Sequence, residues 1–458
     1  MNSDALADLS EDELLDLAGE RAEEARRAET DLLHLAYQWA VINHPNRRRE
    51  KQIPGAERDR AYGGAGSPEV AEFAAASLGA RIRRTTWAAR ALMADALDLQ
   101  HRLPNLWSRV QTGEVRASYA RHVATRTRDL EPDQAGYVDD RVAESADGRI
   151  PWTRFETLVA GAIVSAAPAL AAEKQERARR ARFARRVGTP ELGMASFMVR
   201  ADAATIEQID AAVTAATETV TAADPDLPAD EAAVQAVLRL VTGTALGAAS
   251  PAAKVDLWVH LPHDPRPTAA DPESGAMTRQ PRTVRAGGRA TGEQPVTEGW
   301  VRDVLGPHAS FTIRPVFYPR EQAAVDAYEI PERHRRAVQI LSPADCFPYG
   351  SATTTTAPTM QLDHTEAYDH GPPGRAAPPG QTRVENLGHL TTTHHRIKTH
   401  GGWHVVQPVP GIYLWTDPHD HHYLVDHTGT RPLHTPRPRP RPLVVEIYRP
   451  MPRITLAS

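Results

Sequence analysis

The chain has 458 residues, of which 41% are apolar and 24% charged, with 58 acidic and 53 basic side chains giving a formal net charge of −5. That length accommodates two or three domains of about 100 to 200 residues each, the composition excludes a disordered chain, and the charge balance excludes a uniformly basic nucleic-acid coat. A single cysteine, Cys346, excludes a disulfide framework and a zinc site built from paired thiolates, whereas 12 of the 20 histidines fall between His364 and His434.

The start, MNSDALADLSEDE, is acidic and lacks a charged segment followed by an apolar stretch, which predicts a cytoplasmic protein. The longest apolar run, 158–172, contains Pro168 and falls short of the roughly 20 residues that span a bilayer, so no membrane association is expected. Ser10 and Glu13 have capping-box spacing, and Leu14, Leu17, Leu32, Leu35 and Trp39 recur at helical intervals, which predicts a helix over 11–43 ended by His44-Pro45. Further helices are expected near 68–79, 83–100, 103–111, 114–127, 131–146 and 152–165, making residues 1–187 a helical domain. Its 106–125 portion has the length of a helix-turn-helix and also of an ordinary helical hairpin. Between Lys174 and Arg186 lie seven basic residues against Glu176 alone, in a helix or linker that is either a solvated face or a phosphate-contacting surface.

Strand-like 192–199 and 255–261 flank helical 202–219 and 229–246, a small α/β middle unit over 188–262. Residues 263–295, rich in Pro, Gly, Arg and Thr without periodicity, read as a flexible insertion. A connecting segment, 296–340, carries strand-like 311–317. The histidine-rich domain is expected over 341–430, and the Pro-Arg alternation of 431–458 predicts an extended basic tail.

Within the histidine-rich domain, Leu362 alternates with polar neighbours as in a strand, 371–380 is a Gly/Pro-rich loop, and 391–398 forms a short helix carrying His394 and His395. This order can bring Asp363 and a helix imidazole to one divalent cation while His364 points the other way along its strand. Phosphodiester hydrolysis needs such parts. A neutral imidazole takes a proton from water, and a metal stabilises charge on the phosphate and leaving oxygen.

Asp363-His364, Asn386 and His395 follow one another in His-Asn-His order, with 380–383 (GQTR), 386–388 (NLG), His394-His395-Arg396, Lys398-Thr399 and Gly402-Trp403 around them. In these features the chain resembles a family of actinobacterial proteins that pair an N-terminal helical domain of unknown function with a C-terminal HNH endonuclease domain of the ββα-metal class. The resemblance extends upstream to about residue 250, though without sharp motifs there. It implies an α+β chain: a mainly helical N-terminal domain, a small α/β middle region, and a ββα-metal nuclease domain with a β-hairpin extension.

The resemblance further implies that Asp363 and His395 bind one divalent metal ion, Mg, Mn, Ni or Zn, and that His364 is the general base in hydrolysis of DNA. Asn386 would hold His364 by hydrogen bonding or join the metal shell. Lys398 and Arg396 would contact phosphate, and His394 stands where some relatives place a ligand of a structural metal. Here Met360 and Thr391 stand where cysteines are expected, so no structural zinc is anticipated and the apolar strands of 403–425 would support the finger by packing. Phe347–Gly350 resembles the lead-in of a cysteine-free branch. Residues 340–430 hold eight acidic and four basic side chains, so phosphate contacts would come from the basic run ending at Arg186 or from the tail. The helical domain would recruit a partner, a substrate or a second copy. The alternative is a catalytically inactive module that binds DNA or protein while keeping the fold.

Overall fold

A computed structural model of the chain describes residues 6–45, 53–191, 194–243, 319, 322–354, 357, 359–372 and 376–433, and the backbone of 258–260, 283–288 and 292–297. Helix and strand are mixed, and the contacts divide the chain into two compact units, Met1–Asp129 with Tyr318–Ser458, and Leu130–Phe317.

The first unit opens with α1 (Glu11–Ile42). Ser10 and Glu13 close a capping box, and Leu33, Ala36 and Ala40 are buried at helical spacing. The helix expected over 68–79 is replaced in part by a strand pair, β1 (Asp59–Ala61) with β2 (Glu69–Ala71), before α2 (Ala74–Arg81) begins. A tertiary contact overrides the local preference: Gly64 N donates to Asp98 Oδ1 at 2.7 Å, and a Cβ on Gly64 would lie 2.1 Å from Arg102 Nη1, so only glycine allows this turn.

Helices α3 (Thr86–Arg102), α4 (Pro104–Gln111) and α5 (Ala117–Thr127) follow. Asp95 and Asp98 of α3 are buried and paired, Asp95 with Arg121 and Arg128, and Asp98 with Arg102 and Arg128. Helix α5 buries Tyr119, Ala120, Val123 and Ala124 and ties Arg121 into this network, so α4 and α5 form a packed helical hairpin.

The second unit begins with α6 (Pro132–Val142), α7 (Trp152–Ala166) and α8 (Pro168–Arg180). Among the described residues no single helix is long and apolar enough to cross a membrane; α7 and α8 reach the required length only together, across a bend of 111°. The basic run does not continue as helix or linker. It passes into β3 (Phe183–Glu191), whose backbone pairs antiparallel with β4 (Met194–Arg200).

Asp202 then caps α9 (Ala203–Ala223) by accepting from Thr205 N, and α9 packs on α10 (Ala229–Thr242) around Val220, Ala232 and Ala236. A sheet of β5 (Trp258–His260), β6 (Thr283–Gly288) and β7 (Gly292–Thr297) follows. Its β6–β7 hairpin lies where a flexible insertion was expected; the ladder is a backbone pairing, from Thr283↔Thr297 to Gly288↔Gly292, that leaves no apolar period in the sequence. The strand expected over 311–317 lies outside the described residues.

The first unit resumes with α11 (Glu332–Leu341), the pair β8 (Gln361–His364) and β9 (Leu387–Leu390), and α12 (Thr392–His400). An antiparallel meander completes it: β10 (His404–Val409), β11 (Ile412–Thr416), β12 (His422–Asp426) and β13 (Gly429–Leu433). Strict alternation turns Tyr413, Trp415, Tyr423 and Val425 inward onto Phe347 and Trp403. Phe73, Ala76 and Ala80 belong to the same core, so the segment around α2 packs with residues more than 250 positions later. Strand β13 takes the first residues of the expected tail, with Arg431 2.7 Å from Asp426 Oδ2; residues 434–458 lie outside the described residues.

Candidate active site

Strand β8 aligns with β9 in the register Gln361↔Leu390, Leu362↔His389, Asp363↔Gly388 and His364↔Leu387. Glycine opposite Asp363 lets the pair seat on the core, since a Cβ on Gly388 would approach Cys346 Sγ to 2.8 Å and Tyr413 Cε1 to 3.0 Å. Cys346 fills this apolar floor, and burial pushes its thiol well above the ordinary value. Thr391 starts α12 as its N-cap, accepting from His394 N, which gives the position where a cysteine was expected a local structural task.

Alternation along β8 puts Gln361 and Asp363 on one side, where α12 presents His395 and Lys398 one turn apart. His395 Nε2 lies 3.5 Å from Asp363 Oδ1. His395 Nδ1 is 2.6 Å from Gln361 Oε1; a carbonyl oxygen only accepts, so Nδ1 is a donor and, in the neutral ring, Nε2 is the nitrogen left to bind a metal. Ligands of a divalent ion bonded at about 2.0–2.2 Å stand roughly 3.0–3.5 Å apart, so this imidazole–carboxylate pair fits two positions of one metal shell. Among the described residues no group of three or more His, Cys, Asp or Glu converges on a metal position. Lys398 Nζ donates to Asp363 Oδ2 at 2.7 Å and also to the His364 carbonyl.

Comparison with protein-family models, with curated proteins and with solved structures finds no match.

His364 ends β8 in a buried position. Its Nε2 is 2.8 Å from Thr382 Oγ1, and that hydroxyl donates its one proton to Ala327 O at 2.5 Å. The hydroxyl must therefore accept from His364, which fixes the proton on Nε2 and leaves Nδ1 as the base nitrogen. Tyr328 stacks on the imidazole at 5.7 Å and Tyr368 meets it edge-on at 5.6 Å. Burial holds His364 below its ordinary value, with Asp363 opposing that shift and Lys398 adding to it.

The expected hydrogen bond from Asn386 to His364 is not made. Asn386 Oδ1 accepts from Thr365 Oγ1 and Glu366 N, and Nδ2 donates to Glu366 O and Gln381 O. The amide is spent on the chain leaving β8, so Asn386 acts on His364 through the backbone, and its oxygen is already taken by two donors.

Two further expectations are corrected by location. Arg396, expected to contact phosphate, points away from Asp363: it pairs with Glu72 at 2.7 Å and donates to Gly55 O and Ala56 O. His394, considered as a structural metal ligand, is buried with Nδ1 2.5 Å from Asp345 Oδ2 and Nε2 3.0 Å from Thr86 Oγ1, its ring stacked on Phe347 at 4.2 Å. Gln361 was open to detection by its period-two spacing from Asp363. Thr382 lies in the 380–383 block that carries the resemblance but had no role assigned to it, and Tyr328, Asp345, Thr86 and Glu72 carry no sequence signal that ties them to the site.

Proposed function

We propose that this chain is a metal-dependent endonuclease of the HNH, ββα-metal type that hydrolyses phosphodiester bonds in DNA. The observation that carries the reading is the 3.5 Å approach of His395 Nε2 to Asp363 Oδ1, with Gln361 fixing the imidazole tautomer and His364 next to Asp363 in the chain. Asp363 and His395 would hold the ion, which when bound supplies stabilisation of charge on the scissile phosphate and leaving oxygen. His364 takes the proton of the attacking water at Nδ1, because Thr382 commits Nε2 as a donor. Its depressed pKa keeps the imidazole neutral and able to accept at neutral pH. Asn386 holds the turn after His364, and Tyr328 and Tyr368 limit ring rotation. Lys398 supplies a positive charge beside Asp363 that a substrate phosphate can share.

One observation favours a second reading, a module that binds DNA without cutting it: the Lys398 ammonium is already seated on Asp363 Oδ2, a cation where the metal would bind. Incubation of supercoiled plasmid with the full chain and Mg, Mn, Ni or Zn separates the two. The nuclease reading expects metal-dependent nicking that His364→Ala abolishes while DNA binding persists. Binding without nicking under every metal supports the second reading and rejects the first.

A further inference from the structure

The second unit carries a basic cleft outside the proposed catalytic chemistry. Gln175, Ala178 and Arg179 of α8 and Arg182 just beyond it recur at i, i+3, i+4 and i+7, and with Arg200 and Asp202 they line a cleft of about 290 Å³. The guanidinium groups of the run divide into two sets. Arg177 pairs with Glu173 and Arg180 with Glu176, so the acids on α8 neutralise positions outside the cleft. Inside it, Arg182 is 3.1 Å from Asp202, whereas Arg179 and Arg200 make no ion pair among the described residues. Three guanidinium groups against one carboxylate leave the cleft with a local excess of positive charge.

The adjoining hairpin extends this charge along one of its faces, beside a phenylalanine ring. Phe183 lies opposite Arg200 in the β3–β4 register, and the Arg185 guanidinium sits 4.6 Å from the Phe183 ring centre. Strand alternation puts Arg185 on the same face as Phe183 and Arg200, while Arg186 and Phe197 pair on the opposite face. A single small anion would need convergence on one point; arginines spaced along α8, β3 and β4, with the half-buried Phe183 ring among them, match a repeating phosphate backbone.

We propose that this cleft and hairpin form a phosphodiester-binding surface, with Arg179 and Arg200 contacting successive phosphates of DNA. The choice of DNA as the polyanion rests on the nuclease reading, but binding is measured apart from cleavage.

The test is fluorescence anisotropy of a labelled duplex titrated with the full chain in EDTA, repeated across 50 to 200 mM salt. The Arg179→Ala/Arg200→Ala variant should lose about tenfold in affinity near 100 mM salt, and its slope of log K against log salt should fall by about 1.8, near 0.9 per lost phosphate contact. Arg179→Lys/Arg200→Lys should keep most of the slope, because the charge remains, and both variants should melt with the wild type, because both side chains are exposed. Unchanged affinity and slope in the alanine variant overturn the proposal. Loss of binding to phosphatidylserine vesicles with duplex binding intact overturns it equally, since the surface would then serve a membrane. The expected binding differences in a chain that nicks no plasmid support the cleft and count against the nuclease reading alone.

Discussion

His394→Ala tests what braces α12, the helix that carries His395 and Lys398. The side chain is 5% exposed and makes three contacts that alanine removes: the bond to Asp345, the bond to Thr86 and the stack on Phe347. A hydrogen bond to a carboxylate contributes about 1.5–3 kcal/mol, a neutral one about 0.5–1.5 kcal/mol and an aromatic pair about 0.5–1.5 kcal/mol. Partial collapse of the cavity offsets some of this, while the Asp345 carboxylate left buried without its partner adds to the cost. The loss should be about 3–5 kcal/mol, roughly 10 °C in Tm for a unit of this size. Asp345→Asn, which retains an acceptor for Phe347 N, should lose less, about 1–2 kcal/mol. Urea unfolding followed by tryptophan fluorescence reads this core through the buried Trp403 and Trp415. A loss under 1 kcal/mol for His394→Ala refutes the bracing role. A chelator effect on stability that persists in His395→Ala and disappears in His394→Ala would refute it too, because His394 would then be holding a structural metal.

Arg396→Gln should lower stability by about 1–2 kcal/mol through the partly buried Glu72 pair, with no change in the salt slope of duplex binding; a changed slope at constant stability would restore the phosphate role. Gly388→Ala should cost about 1–3 kcal/mol by forcing Cys346 and Tyr413 off the strand pair, and denaturant midpoints check it. Burial holds His389 below the ordinary imidazole value of about 6.5, so the folded chain resists a proton that the unfolded chain accepts. Its contribution is complete above pH 6.5 and is lost as pH falls through that value, so the urea midpoint should drop between pH 7.5 and 5.5, and less so in His389→Gln. Equal pH dependence in the variant would remove His389 from this account.

What could be read from the sequence was local. The capping box at Ser10, the helical spacing through α1 and the strand–loop–strand–helix order around Asp363 and His395 depend on neighbours within a few positions, and each has a period or a cap to betray it. The bracing of α12 had no such signature, because Arg396 and Glu72 lie 324 positions apart and His394 and Thr86 lie 308 apart. The same holds for β1–β2, where a strand pair and a turn bound to Asp98 take the start of the expected helix and leave its alanine-rich part, Ala74–Arg81, helical. Asn386 was assigned the wrong bonds, since spacing does not fix which way an amide turns. The C-terminal segment therefore draws on residues 55–86 as well as its own, a dependence that no pattern within 341–430 encodes.

The proposed nuclease function requires Asp363 and His395 to act as one metal site. Electron-spin-echo spectroscopy of Mn(II) bound to the full chain measures this without reference to cleavage. The expected result is one bound ion per chain with coupling to a single imidazole nitrogen, and loss of that coupling in His395→Ala. A wild-type chain that binds no Mn(II), or whose bound ion shows no nitrogen coupling, would contradict it.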